Sequence, residues 1–134
     1  MRLHIPLIFA VAALAAMPAA ANAREKLTPE EQLAKLLEGR VAGEPQDCIS
    51  LSTARSSQVI DKTAIVYRVG STLWVNRPEG GAESLDDDDI LVTKLSGSQL
   101  CSIDTIELRD RGSRMYSGFV SLDKFVPYRR VKGQ

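Results

Sequence analysis

Histidine occurs once in this chain of 134 residues, at His4, close to the N-terminus. One imidazole makes no histidine metal cluster, and once His4 is removed with an N-terminal signal the remaining chain has no Ser-His-Asp triad and no Cys-His pair. Charge of one sign is also missing, with 17 Lys and Arg against 17 Asp and Glu. A balanced chain offers no general field to attract nucleic acid or an anionic membrane. Long apolar runs are absent too. The longest, Ile5–Met17, is broken only by Pro6 and falls short of the roughly 20 residues a bilayer span requires.

That run has a different use. Arg2 and His4 supply a basic start, Pro18 ends the apolar stretch, and Ala21-Asn22-Ala23 gives the small-x-small pattern of a cleavage site before Arg24. A cut two residues earlier, after Ala19-Ala20-Ala21, also fits. The sequence therefore predicts a signal peptide over residues 1–23 and a mature protein that is periplasmic or secreted. No stable membrane span remains after cleavage, and no cysteine follows the cut to take a lipid.

Cysteine is scarce as well, with only Cys48 and Cys101. Their spacing is far from Cys-x-x-Cys, so a redox pair is disfavoured. Two free thiols are the other alternative. In an oxidising compartment an even count favours one structural disulfide.

Three segments are expected: the signal over 1–23, an N-terminal helix and linker over 24–47, and a β domain over 48–134. Leu27-Thr28-Pro29-Glu30-Glu31 has the parts of a capped helix start, and Leu33, Leu36 and Leu37 follow at helical spacing before Gly39. Residues 40–47 read as linker. Thereafter come β-branched and aromatic runs: Thr63–Val69 and Thr72–Asn76 across Gly70-Ser71, then Ile90–Leu95, Thr105–Arg109, Arg114–Val120 and Lys124–Tyr128. Gly70-Ser71 suits a type II′ hairpin. Alternation puts Ile65, Tyr67 and Val69 on one face, with Trp74 opposite Leu73 and Val75 and turned towards a core. Pro127 points to a sheet edge. The fold class is mainly β: a small antiparallel sheet or partly open barrel of five to seven strands with one N-terminal helix.

Cys48-Ile-Ser, Val59-Ile-Asp61, Trp74-Val-Asn76, Leu100-Cys-Ser-Ile-Asp-Thr-Ile106 and Lys124-Phe-Val-Pro-Tyr128 together resemble a family of small, exported, uncharacterised proteobacterial proteins. The resemblance covers about residues 48–128 and brings no activity, cofactor or catalytic residue. It implies a second cysteine pair in relatives, at places matching Ala82 and Val120. Its absence from this chain as a pair supports bonding of Cys48 to Cys101.

Four constellations remain as candidate chemistry. Asp61 and Asp104 each follow an isoleucine near a strand start; as a pair they could act as acid and base, but capping of their own turns is favoured. Asp86–Asp89, with Glu83, could collect a divalent ion, yet the Asp-x-Asp-x-Asp-Gly calcium loop is absent and a solvated acidic loop is the better reading. Ser121-Leu-Asp-Lys124 matches Ser-x-x-Lys, without the companion motifs or length of penicillin-recognising enzymes. Arg109, Arg111, Arg114, Arg129, Arg130 and Lys132 make a basic second half, either solvated and partly paired with the acidic run or meeting an anionic partner. The expected function is a non-enzymatic binding or envelope-associated module for an unidentified protein or envelope component, with no cofactor, metal or nucleic acid. The alternative is a carboxylate-based hydrolase using Asp61 and Asp104.

Overall fold

A computed structural model describes residues 25–133. The signal segment and its cleavage residues, Ala21, Ala23 and Arg24, lie outside the described residues. Among those described, no helix is long and apolar enough to cross a membrane.

The helix forms where its caps dictate. Helix α1 spans Pro29–Leu36. Thr28 Oγ1 accepts from the Glu31 N–H at 3.3 Å, and Glu31 Oε2 accepts from the Thr28 N–H at 2.7 Å, so two orphan donors are satisfied reciprocally. Gly39, at φ +73°, turns the chain out of the helix.

Among the described residues ten strands follow, in three antiparallel sheets. They are β1 (Arg40–Ala42), β2 (Cys48–Ser50), β3 (Ala54–Ile60), β4 (Ala64–Val69), β5 (Thr72–Asn76), β6 (Asp89–Thr93), β7 (Gln99–Cys101), β8 (Thr105–Asp110), β9 (Tyr116–Ser121) and β10 (Phe125–Arg130). A five-stranded sheet runs β1-β10-β5-β4-β3; β2 pairs with β7, and β6-β8-β9 form the third sheet. The sheets do not close into a barrel.

The five-stranded sheet is covered on both faces, which is why β4 is buried along four successive residues. On one face Leu33 of α1 packs with Ile60, Ala64, Val66, Leu73 and Val75. On the other, Ile65, Tyr67 and Phe125 meet the two smaller sheets through Ile49, Leu100, Ile106, Leu108 and Val120. Trp74 packs half-buried against this second core, beneath the Arg129 guanidinium 5.8 Å from its ring. Gly70 takes φ +59° while Ser71 does not enter positive φ, the signature of a type II′ turn.

Two expectations are corrected. Residues 40–47 are not simply linker: Arg40–Ala42 is the edge strand of the large sheet, in register Arg40↔Arg130 to Ala42↔Tyr128. Its side chains are largely exposed, so backbone pairing makes it a strand without any apolar alternation to announce it. Pro127 is not on an edge strand either, because β10 lies between β1 and β5. The Pro127 carbonyl accepts from the Gly43 N–H at 2.7 Å. In a strand a residue's N–H and C=O point the same way. The missing proline N–H therefore falls at the end of the β1 ladder, and pairing with β5 loses nothing.

The Cys48–Cys101 disulfide ties β2 to β7 across directly opposed residues, Cα to Cα 4.0 Å. The bonds Ser102 N–H to Asp47 O and Leu51 N–H to Ser98 O flank this pair. Cys48 and Cys101 thus occupy a non-hydrogen-bonded pair, the closer kind, which suits a bridge.

Candidate functional site

Asp104 does not cap the turn ahead of it. Its carboxylate reaches back to accept the Cys101 N–H at 2.7 Å, while its own N–H donates to the Cys101 carbonyl at 3.0 Å. Both Cys101 groups face away from β2, so Asp104 completes the outer side of the bridge strand. Asp61 accepts no hydrogen bond on its carboxylate among the described residues; Thr63 Oγ1 donates to the Asp61 carbonyl at 2.8 Å instead. The two aspartates stand in different turns, β7–β8 and β3–β4, and neither lines the cavities described below.

The acidic run is solvated over Asp86, Asp87 and Asp88, which are exposed, but not at its end. Asp89 begins β6 and is buried, accepting from the Asp86 N–H at 2.9 Å and from Ser117 Oγ at 3.0 Å. Asp86 accepts the Asp88 N–H, and Asp88 pairs with Arg111 at 3.0 Å. Part of the basic half is thus matched to this turn. Arg109 pairs with Glu107 at 2.6 Å, and Arg129 covers Trp74. Ser121 ends β9 while Lys124 reaches Asp47 at 3.6 Å.

The feature with the clearest capacity to bind lies between the large sheet and the β6-β8-β9 sheet. β3 and β6 are both edge strands, and no backbone hydrogen bond joins them. A cavity of about 250 Å³ is lined by Leu51, Ala54, Arg55, Ser56, Ser57, Tyr67, Leu91 and Thr93. A second, of about 280 Å³, shares Ser57 and Leu91 and continues past Val59 to Asp87 and Arg111. Together they make one groove, with Arg55 facing the end of β6 and Val59 facing its start.

Register shows which backbone groups face this groove. The two-residue turn makes Val69↔Thr72 a hydrogen-bonded pair, so alternate residues Ile65, Tyr67 and Val69 bond to β5. Ala64, Val66 and Arg68 then bond to Ile60, Gln58 and Ser56 of β3. Ser57 and Val59 are left with N–H and C=O turned outward. On β6 the Asp89 N–H goes to Asp86, away from β8. By the same alternation Leu91 and Thr93 face outward.

Tyr67 gives the groove its chemistry. The ring is 4% exposed and meets Phe125 edge-on with centroids 6.1 Å apart. Its hydroxyl is buried without a hydrogen-bond partner among the described residues. Desolvation pushes the phenol pKa well above its ordinary value, so the group stays a neutral donor and acceptor. A buried hydroxyl left unpaired costs about 1–3 kcal/mol.

Neither the groove nor Tyr67 was a candidate from sequence, where Tyr67 was placed only on one strand face with Ile65 and Val69. Nothing in the spacing of β3 and β6 indicates that they face each other. A separate exposed surface lies on the outer face of the small sheet, where Tyr116 and Phe119 are 60% and 53% exposed beside Val92, Lys94, Thr105 and Glu107. Comparison with family models, with curated proteins and with solved structures returns no match.

Proposed function

We propose that this protein is an exported, non-enzymatic binding module of the periplasm or cell exterior, and that it engages a protein or envelope component in the β3–β6 groove. The observation that carries the reading is the groove itself: two edge strands with free backbone groups, and a buried tyrosine hydroxyl with no partner among the described residues. The signal pattern of residues 1–23 and the disulfide support an oxidising location. The aspartate pair gives less support to hydrolysis, since the Asp104 carboxylate is held by the Cys101 backbone.

The test is site-specific photo-crosslinking in exporting cells, with N-terminal analysis of the recovered protein. A start at Arg24 and a discrete adduct from a probe at Thr93, but not at Phe119, are expected. An intact Met1, or adducts from Phe119 alone, overturns the reading.

A further inference from the structure

The groove runs between two strands of opposite direction, since Arg55 and Ser57 lie near Thr93 and Leu91, and Val59 lies near Asp89. Its walls are not smooth apolar surface. Each presents N–H and C=O groups unpaired among the described residues at alternate positions, Ser57 and Val59 on one side, Leu91 and Thr93 on the other. Unpaired edges of this kind are satisfied by another extended chain, because main-chain groups then repeat at the matching spacing. Resting on the binding-module reading, we propose that the occupant is an extended peptide segment of a partner protein, inserted as an added strand between β3 and β6.

Charge sets its direction. Arg55, at one end, makes no ion pair among the described residues, and Asp87 at the other end makes none. A peptide with its amino side near Asp87 and a carboxylate near Arg55 runs antiparallel to β3 and parallel to β6. Alternate side chains then point inward. The one above Tyr67 is a Ser, Thr or Asn, which both accepts from and donates to the phenol hydroxyl.

The probe is a displayed library of random decapeptides selected on the oxidised mature protein, followed by amide hydrogen exchange with an enriched peptide. In the free protein, Ser57, Val59, Leu91 and Thr93 exchange fast, while Gln58 and Val66 are protected by their ladder. Saturating peptide slows the first four by about tenfold or more. Tyr67→Phe weakens binding by up to about tenfold without lowering Tm. Ser57→Pro removes only an outward N–H and abolishes binding. If Ser57→Pro does not fold, Tyr67→Phe still decides. No enriched sequence, unchanged exchange at those four amides, or unaltered affinity in Tyr67→Phe overturns the strand insertion. An adduct at Thr93 in cells combined with such a failure leaves the binding-module reading standing and removes only the peptide. Loss of the Thr93 adduct removes the site.

Discussion

At the scale of single residues, polar side chains here do backbone work. Asn76, wholly buried, donates through Nδ2 to the Asp123 carbonyl at 2.5 Å and accepts the Asp123 N–H through Oδ1 at 3.2 Å. It thereby copies a ladder pair where β5 ends and β10 begins. Asp104 does the same for Cys101. Because its carboxylate meets a part-buried N–H, Asp104→Ala should lower stability by about 1–2 kcal/mol in denaturant titration. Asp104→Asn should cost less, since the amide oxygen still accepts. Asp61→Ala, which removes no carboxylate hydrogen bond, should stay within about 0.5 kcal/mol of the parent. Stabilisation by Asn at both positions would instead indicate two repelling carboxylates and revive the hydrolase.

Among the elements, two junctions can be tested. The short 3₁₀ turn Ala82–Ser84 is seated on β9 through Gly81, at φ +81°, where an added Cβ would collide with the Phe119 carbonyl oxygen. Gly81→Ala therefore combines a left-handed penalty with a backbone clash and should cost about 2 kcal/mol or more by chemical unfolding. Helix α1 is joined to the residue after β5 by a bidentate Arg77–Glu30 pair at 2.8 and 2.9 Å. The Arg77 hydrogen bond holds the Glu30 carboxyl below its ordinary value of 4.5. The unfolded chain then binds the proton first as pH falls. The pair's contribution is whole above pH 4.5 and is lost as pH drops through the lowered folded value. Both groups are largely exposed, so the effect is small and screened by salt. Glu30→Gln should flatten the acid limb of the Tm-against-pH curve, and an unchanged slope would show that the pair contributes nothing.

For the whole molecule, the bridge between β2 and β7 closes 53 residues of sequence. Loop-closure entropy puts its worth at about 4 kcal/mol, and removal from a small secreted domain typically costs about 2–5 kcal/mol. The double substitution Cys48→Ser/Cys101→Ser should lower Tm clearly while the oxidised parent resists thiol labelling; an unaltered Tm would make the bridge incidental.

Local chemistry was readable from the sequence because it depends on neighbours along the chain. The Thr28–Glu31 capping box, the Gly70-Ser71 turn and the facing of Trp74 away from Leu73 and Val75 all follow from spacing of a few residues. The mainly β class with one N-terminal helix follows for the same reason. What spacing could not show were strands made by pairing alone. Arg40–Ala42 and the polar Arg55–Gln58 part of β3 bury little side chain, so no alternation marks them, and the partner of Arg40–Ala42 lies at the far end of the chain. The burial of Asp89 and the isolation of the Tyr67 hydroxyl were equally hidden. Both depend on which sheets stack together, and so does the groove, whose two walls are some thirty residues apart in sequence. Periodicity records which way a side chain points, whereas the arrangement of sheets decides what it meets there.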